Sequence, residues 1–347
     1  MKSQKKYIQL YSNITDAIRN GAYSSGDKLP TELDLAKQYG ISRQTVRLAL
    51  EKLENDGFIS KLQGSGSYIT DSPLTLRKTM RIVVITTYIS TYIFPLILRG
   101  IENVAASNHY SLMLSATNNS IAKEREILHT ISEDSVDGII VEGTKTALPN
   151  PNLSFYKALA DKNIPLVFIN GYYPALLDEH HDKIVYVVTE DYQGSYDLTL
   201  ELVKLGHRSI GGIFKSDDIQ GIRRFSGYID ALTNDEIPIN DDYVLWFNTE
   251  TKFSVEQQLA QSKMMSECTA VVCYNDEIAL QFLTFLKNHP SKVTALRSFD
   301  GTLPPHQSGI DFRSLNHPKE TMGNIAANKL FRIINGGTEK NCIIPWE

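Results

Sequence analysis

Apolar side chains near the start of the chain recur at helical intervals. Tyr7, Tyr11, Ile14 and Ile18 share one face of a predicted helix that ends near Asn20-Gly21, and Val46, Ala49, Leu50 and Leu53 share the buried face of another. Between them Thr31, with Asp34 three residues on, opens a short helix carrying Leu33, Ala36 and Lys37, which Gly40 closes. Ser42 caps the following helix and Gly57 ends it. In FISKLQGSGSYIT two short strand-like runs, 58–62 and 67–70, flank a Gly-Ser turn and predict a β-hairpin. Two short helices joined through a glycine turn, followed by a hairpin, form the layout of a winged helix-turn-helix.

The polar stretch DSPLTLRKTM (71–80) reads as a linker, and from Arg81 the period changes. Short β-branched runs (RIVVITT, YSLMLSAT, VDGIIVEG, IPLVFING, IVYVVTED, SIGGIFKS, CTAVVCYND, VTALRSFD) alternate with helical patterns such as PLILRGIENVAASN and RRFSGYIDALTND. That alternation predicts α/β architecture, parallel sheets with helices on both faces. So many βα units exceed one ordinary open sheet, so a doubly wound domain of two lobes around a cleft is expected. The expected boundaries are 1–70 for the winged helix, 71–80 for the linker and 81–347 for the α/β domain. Within the latter, lobe one takes about 81–173 and 317–338, and lobe two about 174–316 and 339–347.

Charge sharpens this division. Residues 1–80 hold 12 Lys/Arg against 8 Asp/Glu, a balance of +4, while the remainder holds 23 against 32, a balance of −9. A basic head on an acidic body points to a polyanion partner for the head. Arg43 and Arg47 lie one turn apart on the exposed side of the predicted reader helix, with Gln44 beside its N-terminus. Arginine can bond a guanine edge bidentately or a phosphate, and spacing alone leaves open which does which. Singly, an arginine pair is a solvated face and GSG an ordinary turn; their order within a basic segment raises DNA binding above either.

Other chemistry is thinner. Cys268, Cys273 and Cys342 form no CxxC and read as reduced packing residues of a cytoplasmic protein, with no metal site and no cofactor expected. His180-His181 reads as a solvated pair and Met264-Met265 as packing. No run approaches the roughly 20 apolar residues of a membrane helix, and the start lacks the apolar core of a secretory signal. GxSxG, GxxxxGK[ST], HExxH and a strand followed by GxGxxG are all missing, so an enzyme is not expected. The ends of predicted strands carry Thr86-Thr87-Tyr88, Glu142, Asn170 with Tyr172 and Tyr173, Glu190-Asp191, Lys215 to Asp218, Asn275-Asp276 and Asp300. Carboxylates, amides and aromatics converging there suit a sugar, whose hydroxyls they bond and whose C–H faces they stack on.

The segment PTELDLAKQYGISRQTVRLALEKLENDGFISKLQGSGSYI resembles the winged-helix domain of GntR-family bacterial transcription regulators. The resemblance implies DNA contacts from Glu32, Arg43, Thr45, Arg47, Gln63 and Gly64, and a homodimer on a near-palindromic operator. LVKLGHRSIGGIF, GIRRFSGYIDAL and AVVCYNDEIAL resemble the effector domain shared by LacI-family repressors and periplasmic sugar-binding proteins, over about residues 81–345. The pairing is similar to the arabinose repressors of Gram-positive bacteria, which implies repression relieved by a small sugar, L-arabinose; the residues by themselves fit equally another sugar or a phosphosugar, a corepressor, or an activator. It assigns effector contact to Arg224, Asn275, Asp276, Asp300 and His317 on one side. Tyr92, Phe94, Glu142, Asn170 and Tyr172 would line the other, with Asp191 and Asp218 as further candidates. Two positions depart from the pattern: Asp300-Gly301 stands where the family has paired aspartates, and the sequence closes on IIPWE where relatives continue through one more apolar strand.

Overall fold

Local capping chemistry sets the N-terminal elements. In the computed structural model, which describes residues 2–19, 22–62, 65–70, 78–131, 135–177, 182–303 and 309–347, the first 78 residues form one unit. Helix α1 (Lys2–Arg19) is followed by α2 (Glu32–Tyr39) and α3 (Arg43–Asn55), then by the antiparallel strands β1 (Ile59–Leu62) and β2 (Gly66–Ile69). Thr31 and Asp34 form a reciprocal capping box at the start of α2. Gly40 closes α2 in the left-handed region at φ 60°. The Ser42 hydroxyl accepts from the Thr45 amide 3.2 Å away and starts α3. Val46, Ala49, Leu50 and Leu53 pack against Leu10, Ile14, Ile18 and Leu35 in a core of the head's own. Leu33 lies on the outer side of α2 at 47% exposure, and Leu35 takes the inward place.

The second unit, Thr79–Glu347, holds two parallel sheets. In the first lobe β3 (Arg81–Thr86) leads through α4 (Phe94–Ser107) to β4 (Ser111–Ala116), then α5 (Ile121–Thr130), β5 (Gly138–Val141), α6 (Leu153–Asp161), β6 (Leu166–Ile169) and β7 (Ile184–Thr189). The chain crosses over into α7 (Asp191–Lys204), β8 (Ile210–Lys215), α8 (Ile219–Asn234), β9 (Val244–Phe247), α9 (Val255–Gln261) and α10 (Met264–Glu267). It continues as β10 (Ala270–Cys273), α11 (Asp276–Leu286), β11 (Ala295–Asp300) and β12 (Asp311–Asn316). It then returns through α12 (Lys319–Ile334) to β13 (Cys342–Ile344). The sheet orders are β13-β7-β6-β5-β3-β4 and β12-β11-β10-β8-β9.

Both sheets are sandwiched between helices, which explains the unbroken apolar runs. Every residue of β5, β6 and β10 is buried. Small residues set the helix–helix distances. A Cβ on Gly323 of α12 would fall 2.1 Å from the Ile97 carbonyl oxygen of α4, and one on Gly227 of α8 would fall 2.1 Å from the Tyr192 carbonyl oxygen of α7.

Two boundaries differ from the sequence expectation. Strands β7 (184–189) and β13 (342–344) belong to the first lobe, because β7 pairs with β6 and β13 pairs with β7. The crossovers between lobes are therefore 189–191, 316–319 and 344–347. The run IVYVVT is as β-branched as any strand of either lobe, so composition could not say which sheet it joins.

Candidate functional site

The two sheet orders repeat one plan, with the first strand of each lobe lying between the second and third. The order reverses beside β3 and β8, where the carboxyl ends of β3, β5, β8 and β10 open a crevice. A cavity of about 470 Å³ lies there, within the roughly 300–1,000 Å³ usual for small-molecule sites.

Ten of the twelve predicted effector residues line it: Tyr92, Phe94, Glu142, Asn170, Asp218, Arg224, Asn275, Asp276, Asp300 and His317. The other two stand behind its wall. Tyr172 is buried, stacked on Tyr186 with centroids 4.0 Å apart, and its hydroxyl accepts from Arg223 Nη2 at 2.6 Å. Asp191 accepts from Arg224 Nε at 2.8 Å and faces Nη2 at 2.7 Å, so it orients the guanidinium rather than reaching the cavity.

Several lining groups are already engaged. Asp276 accepts from the Thr302 and Leu303 amides at 2.6 and 3.1 Å and from Ser314 Oγ at 2.7 Å, which fixes the 301–303 loop. Asn275 caps α11 through its oxygen and donates to the Tyr92 hydroxyl of the opposite lobe at 2.7 Å. Glu142 accepts from the Thr87 amide at 2.9 Å, from the Thr87 hydroxyl and from Asn170 Nδ2 at 2.9 Å. Burial nonetheless raises its carboxyl above the ordinary range.

Three lining groups keep unused bonding capacity. Asp300 Oδ2, His317 Nδ1 and Gln220 Oε1 are buried and have no hydrogen-bond partner among the described residues. Burial pushes the Asp300 carboxyl up to about 8 and the His317 imidazole down to about 3, so these two favour their neutral forms. Asp300 is also held at φ 100°, in a backbone region that L residues rarely adopt. Gly301 beside it sits at φ +58°, where a Cβ would meet Asn316 Oδ1 at 2.4 Å. A side chain at 301 would therefore require Asn316 to move.

Cations in the wall are locally paired. Lys215 bonds Asp218 and lies 3.4 Å from Asp217; burial works against its charge, but the two carboxylates outweigh it and raise its pKa. Lys252 lies 3.2 Å from Glu277 and 5.3 Å from the centre of the Tyr88 ring across the cleft. Sequence reasoning missed Lys252, Gln220, Phe247, Thr249 and Tyr274, which also line the cavity. Phe247 ends β9, Thr249 and Lys252 follow it, Tyr274 follows β10 and Gln220 lies in the first turn of α8, so their only signal was proximity to a strand end.

The lobes touch beside the cavity as well. Asn119 donates to Thr249 Oγ1 at 2.6 Å, and the Ile219 amide donates to Thr146 Oγ1 at 3.0 Å. The 144–152 loop that carries Thr146 is anchored by the fully buried Glu124. That carboxylate accepts from Tyr156, Tyr173, Asn150 and Asn152 at 2.7–3.0 Å.

On the head, Arg43, Gln44 and Arg47 are exposed along α3. Glu32 sits between the arginines, 4.0 Å from Arg43 and 3.5 Å from Arg47. Thr45 is buried, its hydroxyl 2.8 Å from Ser42 Oγ, which places it in the cap rather than on the open face. Gln63 and Gly64 at the hairpin tip lie outside the described residues, as do His180 and His181.

Comparison with known proteins adds the following. Residues 6–69 match the family of bacterial regulatory proteins, gntR family. Residues 79–345 match periplasmic binding proteins and the sugar binding domain of the LacI family. The arabinose metabolism transcriptional repressor of Geobacillus stearothermophilus is 37% identical over 96% of this chain and 92% of its own length. That of Halalkalibacterium halodurans is 33% identical over 95% and 90%. Among solved structures, the regulator CcpA of Lactococcus lactis superposes with a TM-score of 0.65 at 21% identity, covering 78% of this chain and 97% of CcpA. The regulator CelR in its cellobiose complex gives 0.66 at 17% identity, covering 92% and 98%. These structural likenesses bear on the fold.

Proposed function

The chain belongs to the family of the arabinose metabolism transcriptional repressors, a GntR-type head on a LacI-type sugar-binding domain, and we propose that L-arabinose is the sugar that governs it. It is a sugar-responsive transcriptional repressor and not an enzyme. In this reading a homodimer holds near-palindromic operator DNA through Arg43, Arg47 and the hairpin. The sugar then closes the cleft and alters the spacing of the two heads. Phosphate contacts supply much of the affinity and make it fall with salt. The protein would work in the cytoplasm, where its operator is.

The observation that carries the choice of ligand is the charge state of the cavity. Lys215, Arg224 and Lys252 are each matched by a carboxylate, while the buried Asp300 and His317 favour neutral forms with free bonding capacity. Such a wall suits uncharged hydroxyls. A phosphosugar would require an uncompensated cation or an anion cradle.

A gel shift on the DNA upstream of this gene and its neighbours, with and without L-arabinose, tests the reading. A specific shift reversed by arabinose supports repressor, ligand and sign together. A shift indifferent to arabinose removes the ligand assignment, and one that appears only with arabinose reverses the sign.

A further inference from the structure

We propose that Trp346 is a positioning residue of the cleft, which holds Arg224 in place and couples occupancy of the cavity to the segments on which the lobes turn. The proposal rests on the reading of the cavity as the effector site. Arg224 is held by Asp191 on one edge, by the Tyr274 carbonyl on another, and between aromatic faces. Its guanidinium carbon lies 4.2 Å from the centre of the Phe299 ring, 4.8 Å from Tyr274 and 5.0 Å from Trp346. The first two rings belong to the second lobe. The indole comes from the third crossover and reaches the cavity wall from behind.

Its surroundings touch every strand between the lobes. The Glu190 amide, in the first crossover, donates to the Ile344 carbonyl at 3.0 Å. Asn316, at the second, exchanges backbone hydrogen bonds with Glu347 at 2.7 and 3.0 Å. The indole packs edge-on to His317 at 5.4 Å and to Phe299 at 5.1 Å. Room for it exists because residue 194 of α7 is glycine: a Cβ there would lie 2.8 Å from Trp346 Cδ1. A rotation of one lobe against the other must move this indole relative to Arg224, His317 or both. A ligand that fixes Arg224 and His317 therefore biases the crossover geometry, which is the differential contact that a two-state switch requires.

The chain has two tryptophans, and Trp246 packs on Phe225 and Phe214, so full-length Trp246→Phe protein makes Trp346 the sole indole reporter. L-Arabinose titrated into it should change the Trp346 emission with the midpoint found by calorimetry. Trp346→Leu in the parent chain should weaken arabinose binding by about 3–30-fold, the scale of a partly desolvated cation–π contact. Trp346→Phe, which keeps an aromatic face, should recover most of it. Gly194→Ala, which presses a methyl on the indole, should also weaken binding in a chain whose operator affinity without sugar is unchanged. Arabinose that binds the parent with no change in Trp346 emission, and binds Trp346→Leu and Gly194→Ala as tightly as the parent, would overturn the proposal and leave the effector reading intact. A parent that binds no arabinose by calorimetry would overturn both.

Discussion

At the scale of single residues, the cavity and the reader helix make separable demands. Arg47 is exposed on α3 and contributes nothing to the core of the head, so its loss should leave the fold intact. Arg47→Ala is expected to weaken operator binding by roughly 5–150-fold, the range of one good bidentate contact, with arabinose binding unchanged. Unaltered operator affinity in a gel shift would remove α3 as reader. The buried pair gives a pH prediction of opposite signs. His317 is lowered from 6.5 to about 3, so below pH 6.5 the unfolded chain binds a proton that the folded chain refuses, and stability falls as pH drops through that window. Asp300 is raised from 3.8 to about 8, so between those values the folded chain keeps a proton the unfolded chain has lost, and stability falls as pH rises. Each contributes a slope of at most about 1.4 kcal/mol per pH unit. Between about pH 3.8 and 6.5 the two slopes oppose each other, so in urea titrations His317→Gln should leave a stability that falls as pH rises through that range, and Asp300→Asn one that falls as pH drops through it. Identical profiles in parent and variants would mean that neither group is held as the structure places it.

At the scale of elements, legibility tracks how local the determining contacts are. The Thr31–Asp34 box, Gly40 and Ser42 act within three or four residues of themselves, so the helices of the head were readable from spacing. Thr31→Ala removes a cap from α2 and should lower the stability of the head by about 1 kcal/mol in denaturant titration, while leaving the α/β domain unchanged. A matching loss in both units would show that the cap is not a local device. Leu33 and Leu35 show the limit: alternate positions on an eight-residue helix give too few turns to fix the inward face. The lobe boundary failed for a different reason. Membership of β7 and β13 in the first sheet depends on pairing across 18 and 155 positions of sequence, and parallel strands buried on both faces carry no alternation to betray a register. The strand ends pointed to the cavity because the fold places them there. Asp191 and Tyr172, one layer behind, share that placement and lack only a direct line into the space. Trp346 carried no signal at all, since its role depends on Gly194 and Arg224 being brought beside it.

At the scale of the whole molecule, two units with separate cores and opposite charge balance carry two ligands. Their linkage is measurable from the two binding equilibria. A ligand stabilises the unit it binds by RT ln(1 + [L]/Kd), about 2.7 kcal/mol at a hundredfold excess over Kd. L-Arabinose should therefore raise the calorimetric transition of residues 79–347, and operator DNA that of residues 1–78. If arabinose moved only the head's transition, the cavity would not be its site. Reciprocity sets a stricter condition. The factor by which saturating arabinose weakens operator binding must equal the factor by which saturating operator weakens arabinose binding, because both measure one coupling free energy. A coupling of 1–3 kcal/mol, typical of such systems, makes that factor about 5–150. Arg224→Ala should weaken arabinose binding and leave the operator affinity of the sugar-free protein unchanged, so that sugar at parental concentrations no longer releases DNA. Because that cycle closes whatever the number of conformations, a factor near one in both directions would mean that arabinose binding is not coupled to operator release.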